Sequence, residues 1–147
     1  MNEQIEELAT TIKKIDLFKI LDETKLEDGS KAFKFNYENE MFFLLLKGIS
    51  ENHTVINITN PISFEKERFS KPKLFILNEF NTYAAGIKGL LADDDKSHFL
   101  FVREEIIHIK DNYNKDLVET RVSLAIDLVK NAVNVFLSIN DEINENA

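Results

Sequence analysis

The sequence predicts an α+β domain: a five-stranded antiparallel sheet packed with helices, in the order α-β-β-β-α-β-β-α. Three observations predict it. Apolar residues near both ends of the chain recur every three or four positions, the period of an amphipathic helix. Between them lie stretches that alternate with period two or run apolar over a strand's length. The links between consecutive strands are short, which favours hairpins, and an apolar sheet face needs a helical layer to bury it.

Ile5, Leu8, Ile12 and Ile15 define the first helix, read as running from Asn2 into the Leu17–Leu21 region. Asp28-Gly29-Ser30 is a turn signal. Phe33, Phe35 and Tyr37 alternate with Lys34 and Asn36 as a strand, Glu38-Asn39-Glu40 turns the chain, and Met41–Leu46 returns as a strand apolar on both faces. Thr54–Thr59 forms a third strand, which Asn60-Pro61 ends because proline cannot donate to the ladder. Ser70 reads as a helix cap with Pro72 in the first turn, and Leu74, Leu77 and Phe80 carry the helix until Ala84-Ala85-Gly86 breaks it. Ile87–Ala92 and Ser97–Ile107 are strands joined by a turn at Asp93–Lys96. The last helix carries Val118, Val122, Ala125, Val129, Ala132, Phe136 and Ile139 as one stripe, with Leu117, Leu124, Leu128 and Val135 as a second beside it. A single domain is expected over residues 1–139, with a short, frayed acidic tail over 140–147.

Composition narrows the function. The chain has 147 residues, the size of one domain, and its 44% apolar and 30% charged content is that of a globular protein. A net charge of −8 without a basic patch repels polyanions, which argues against nucleic acid and anionic membranes as partners. The longest unbroken apolar run, Met41–Leu46, is far short of the ~20 residues of a membrane span. The absence of cysteine excludes disulfides, thiolate zinc sites and a thiol nucleophile. The acidic start MNEQIEELAT has no export signal, so a cytoplasmic location is expected, and the sequons at Asn52 and Asn57 read as chance.

No motif for a cofactor, a metal or catalysis stands out. Asp93, Asp95, Ser97 and Glu104 match four positions of a calcium loop, but His98 occupies the position that requires Gly. They read as a solvated hairpin tip. His53 falls in a turn, and His98 and His108 lie near opposite ends of one strand, so these are ordinary surface histidines. Glu104 and Glu105 point to opposite faces of a strand, and Ser63, Ser70, Ser97 and Ser123 lie in no nucleophile elbow. The sheet's two-sided apolarity is the most informative feature. If the 37–41 turn has two residues at its tip, Phe42, Leu44 and Leu46 share a face with Phe33, Phe35 and Tyr37. Met41, Phe43 and Leu45 then point the other way, whereas a three-residue loop would swap these sets. Leu100 and Val102 likewise oppose Phe99 and Phe101. Either helices cover both faces, or Met41, Phe43, Leu45, Leu100 and Val102 meet another chain.

The element order, together with Phe75-Ile76-Leu77-Asn78-Glu79-Phe80-Asn81 and the Gly86–Ala92 and Ser97–Ile107 strands that follow, resembles the YbjN-like family and the similarly shaped type III secretion chaperones. The likeness covers roughly residues 5 to 139, and Tyr83–Gly86 departs from the Pro-containing turn of the family. It implies an often dimeric fold with a tendency toward protein binding, and it carries over no catalytic residue. The expectation is a non-enzymatic protein-binding module, chaperone-like and homodimeric, without cofactors. The alternative is a small-molecule or sensory domain whose twelve Phe line a pocket. A diffuse catalytic site has no positive support in the residues.

Overall fold

The computed structural model describes residues 2–16, 18–108 and 114–146. The elements are α1 (Asn2–Lys13), β1 (Lys19–Lys25), β2 (Lys31–Tyr37), β3 (Glu40–Ser50), β4 (His53–Ser63), a 3-10 turn (Lys66–Arg68), α2 (Lys73–Tyr83), β5 (Lys88–Asp93), β6 (His98–His108) and α3 (Lys115–Glu145). The strands form one six-stranded antiparallel sheet in the order β1-β2-β3-β4-β6-β5. The class is α+β, but the expected five-stranded sheet in the order α-β-β-β-α-β-β-α is corrected to six strands in the order α-β-β-β-β-α-β-β-α. The missed strand is β1, KILDETK, an edge strand with no buried residue. With neither face apolar it has no period for a sequence to display.

By compactness the chain divides into two units: Met1–Ile58 with Glu104–Ile126, and Thr59–Arg103 with Asp127–Ala147. In the first, the β2–β3 turn has two residues at its tip, because Tyr37 pairs with Glu40. Glu38 and Asn39 both take positive φ, 49° and 67°, as in the mirror-image turns whose twist matches that of the strands. This register buries Phe33, Phe35 and Tyr37 together with Phe42, Leu44 and Leu46. The Phe35 and Phe42 rings stack at 5.6 Å, and Phe18 closes on Phe35 at 4.9 Å. Ile5, Leu8, Ala9 and Ile12 of α1 are buried with them, as are Val118, Val122, Ala125 and Ile126 of α3.

Lys31 lies at the end of this buried row, opposite Leu46, with its side chain only 10% exposed. Its ammonium donates to Glu6 of α1 at 2.9 Å and to Glu23 of β1 at 2.8 Å. Lys13 donates to the same Glu23 at 2.6 Å. A long aliphatic stem is thus buried while its charged head is paired on both sides. Hydrogen bonds from Lys13 and Lys31 hold the Glu23 carboxyl below its ordinary value, and that from Lys31 does the same for Glu6. The bonds to Glu23 and Glu6 raise Lys31.

In the second unit, Phe136 of α3 is the hub of an aromatic cluster. Its ring centre lies 5.0 Å from Phe99, 5.4 Å from Phe101, 5.8 Å from Phe64, 5.9 Å from Phe80 and 6.1 Å from Phe69. α2 sits on β5 over Gly89, where a Cβ would stand 2.8 Å from Leu77 and 3.2 Å from Phe80. The stretch read as a frayed tail is helical to Glu145. Asn140 and Asn144 each donate to the Arg68 carbonyl at 3.0 Å, and Asn144 Oδ1 accepts from Ser70. Ser70 therefore ties α3 down rather than capping α2, which begins after Pro72 with no side-chain cap. β4 runs through Pro61, where the sequence suggested an end. Proline's fixed φ is compatible with extended backbone, so the cost is one ladder donor.

Two outcomes are expected. Phe136→Ala removes the ring shared by five others and should cost about 3–5 kcal/mol of unfolding free energy in urea titrations. The unfolded chain holds Glu23 and Glu6 at ordinary carboxyl values, so in acid it binds more protons than the folded one. Their stabilisation is therefore present above the ordinary value of 4.5 and lost as pH falls through the lowered folded values. The contribution of Lys31 is present below 10.5 and lost as pH rises through its raised value. Lys31→Met should flatten the acid limb of stability measured between about pH 3 and about pH 7.

Candidate functional site

The residues of the first unit that alternate with the buried row face the other side of the sheet. They are Met41, Phe43, Leu45, Lys47 and Ile49 on β3, His53, Val55 and Asn57 on β4, and Glu104, Ile106 and His108 on β6. This outer face bears a run of apolar side chains that no helix of the unit buries: Phe43 is 42% exposed and Ile106 54%, and Met41, Leu45 and Val55 are half-buried. Its charges nearly balance. The pairing places Lys19, Lys34 and Asp22 on the same face, so Lys19, Lys34 and Lys47 stand against Asp22 and Glu104. That is one net positive charge on a chain of −8. Asn57 Nδ2 donates to Glu104 Oε1 across β4 and β6 at 3.1 Å.

Leu100 and Val102 belong to the second unit. They pair with Leu90 and Lys88 of β5, on the face opposite the buried Phe99 and Phe101, and both are half-buried. The five residues singled out from the sequence all lie on outward-facing positions of their strands, three in one unit and two in the other.

The sheet edges are blunted. β1 carries four charged residues of seven and a register shift between Ile20 and Asp22, and β5 has a shift between Leu91 and Asp93. Bulges and charges of this kind oppose pairing with a further strand. β5 has a second device. Asn81 of α2 donates to the Gly89 carbonyl at 3.1 Å and accepts from its N–H at 2.8 Å, replacing the neighbour that an edge lacks.

Of the apolar stripes on α3, the Val118–Phe136 stripe is buried, whereas Leu117, Leu124, Leu128 and Val135 are exposed. α3 is long and apolar enough to cross a membrane by length and composition alone. The rings of the second unit, Phe64, Phe69, Phe80, Phe99, Phe101 and Phe136, pack on one another. That unit also has a cleft of about 310 Å³ lined by Lys66, Phe69, Lys71, Pro72, Lys73, Leu74, Leu91 and Asp94, in which Lys73 donates to Asp94 at 2.9 Å.

The would-be calcium residues do not converge. Ser97 is fully buried, Asp93 accepts from the Lys96 N–H, and among the described residues no group of three or more metal-binding side chains gathers. The histidines depart from expectation. His53 is the first residue of β4 rather than part of a turn, and its ring centre lies 4.7 Å from that of His108. Ser50 Oγ lies 2.8 Å from His53 Nδ1, and Ser63 Oγ 2.8 Å from His98 Nδ1. Sequence reasoning missed the His53–His108 and Ser63–His98 pairs because they follow from β4 and β6 being neighbours, which the element order leaves open, whereas Ser50 and His53 meet locally across the β3–β4 turn.

No protein-family model matches the chain, and no curated protein matches it. A crystal structure of an uncharacterized protein from Methanothermobacter thermautotrophicus is similar, with a TM-score of 0.55 and 15% identity over 97% of this chain and 98% of that one. At that identity the likeness concerns the fold alone. Removing the edge cover should be measurable: Asn81→Ala leaves the Gly89 backbone groups without their partner and should cost about 1–3 kcal/mol in urea unfolding.

Proposed function

We propose that this chain is a non-enzymatic protein-binding module that pairs with a second copy of itself through the outer sheet face of its first unit. The observation that carries the reading is the run Met41, Phe43, Leu45 and Ile106 on a face that is close to neutral in an acidic chain. Two copies meeting there bury apolar surface without opposing their negative excess. A two-fold axis brings the same face of each copy together, and sheets stack face to face at ~10 Å. The blunted edges favour the face over strand addition. The resemblance to YbjN-like proteins and secretion chaperones supports a wider, chaperone-like role in a cytoplasmic setting, with Leu100 and Val102 as further partner residues. A small-molecule or sensory role has one observation in its favour, the cleft with Lys66, Lys71 and Lys73, whose charge suits an anion.

Sedimentation analysis over a wide concentration range tests the pairing. The wild type should sediment as two chains, and Phe43→Asp, at an exposed position that leaves the core untouched, should weaken association at least about thirtyfold. Leu124→Asp on the exposed helix stripe should leave it unchanged. A wild type that stays monomeric at all concentrations, or association lost in Leu124→Asp and kept in Phe43→Asp, would sink the proposal.

A further inference from the structure

We propose that His53 and His108 form a two-imidazole site for a borderline divalent transition ion such as Zn2+, Ni2+ or Cu2+. The residues are far apart in sequence and meet because β4 and β6 are adjacent in the sheet. Their ring centres are 4.7 Å apart and their planes inclined at 36°. Ligand nitrogens bound to one ion at about 2.0–2.1 Å each stand roughly 3 Å from one another. Rings this close reach that separation by rotating about their side-chain bonds, without displacing either strand.

The surroundings suit a ligand role. Ser50 Oγ, 2.8 Å from His53 Nδ1, accepts a hydrogen bond from that nitrogen in the tautomer with the proton on Nδ1, which leaves the lone pair on Nε2. A hydrogen bond of this kind behind a ligating imidazole fixes its tautomer and its orientation. His108 is exposed and His53 half-exposed, so an ion can enter from solvent. Imidazole nitrogen selects borderline ions over Ca2+ and Mg2+, which require a shell of oxygens. Water completes the coordination sphere.

A bound ion cross-links the start of β4 to the end of β6. The unfolded chain does not hold these residues together, so the ion stabilises the folded state by mass action. Both imidazoles belong to one chain but lie on the outer face through which pairing is proposed, and in Phe43→Asp, where pairing is weakened, the same two residues remain to hold the ion.

Thermal unfolding of the full chain, stripped of metal by chelation, tests the site with Zn2+, Ni2+ and Ca2+ salts. An excess of Zn2+ or Ni2+ of a hundredfold over its Kd should raise Tm by about 5–8 °C, whereas Ca2+ should not. His53→Ala and His108→Ala should each abolish the rise while keeping the metal-free Tm. Ser50→Ala should weaken binding about tenfold or more. Calorimetric titration should give one ion per chain, in Phe43→Asp as in the wild type. The Cu2+ electron paramagnetic resonance spectrum should show two equatorial nitrogens in the wild type and one in either His variant, a readout independent of stability. The proposal is overturned by the absence of a shift with Zn2+ and Ni2+, by a shift that survives in both His variants, or by one ion per two chains.

Discussion

The β2–β3 hairpin can close with two residues at its tip only because Glu38 and Asn39 both adopt left-handed backbone. Asparagine enters that region readily, but glutamate does so at a steric cost, since its Cβ crowds the adjoining carbonyl. The fold accepts that cost because the alternative register is worse. A slip of one residue would move Phe42, Leu44 and Leu46 out of the core and bring Met41, Phe43 and Leu45 in, against the same α1 residues. Three of the largest fully buried side chains of the first unit, Phe33, Phe35 and Phe42, are set by this one turn. The position of Lys31 follows from it as well, because the buried row continues to the end of β2, where a charged side chain is held between two carboxylates.

The same register has a consequence on the opposite side of the sheet. β3 is apolar at nearly every position from Met41 to Leu46, as a strand covered on both faces would be. The helical segments of the first unit bury one face, and the odd-numbered residues of β3 remain only partly covered. Exposed phenylalanine and isoleucine are unexceptional singly but not as a run along neighbouring strands. The contrast with the edges is informative. β1 is charged along its length and shifted in register, and β5 has its backbone occupied by the Asn81 amide, so the chain restrains pairing at its edges while leaving an apolar face open.

The second unit is organised by aromatic packing. Six phenylalanines brought together from the 3-10 turn region, α2, β6 and α3 pack on one another, with Phe80, Phe99, Phe101 and Phe136 fully buried and Phe64 and Phe69 half-buried. The last turns of α3 are held by polar side chains. Asn140 and Asn144 converge on the Arg68 carbonyl and anchor a segment whose composition alone suggests a solvated end.

Much of this was legible in the sequence, for a stated reason in each case. The alternation of Phe33, Phe35 and Tyr37 marked the hairpin, but two- and three-residue turns remained open, and the Tyr37–Glu40 pairing decides between them. α3 was evident because seven apolar residues keep the helical period. β5 and β6 fell within a residue of their bounds, since turn residues flank an apolar run. What the sequence could not display is whatever lacks local periodicity. β1 is a strand because β2 offers it a ladder, not because its own residues alternate. The anchoring of Asn140 and Asn144 depends on a carbonyl more than seventy positions away. The pairing of His53 with His108 depends on strand order, and periodicity, acting along the chain, carries no information about which strands become neighbours. Local pattern thus determined the elements and their faces, and tertiary structure decided the sixth strand, which apolar face is covered, and which distant side chains meet.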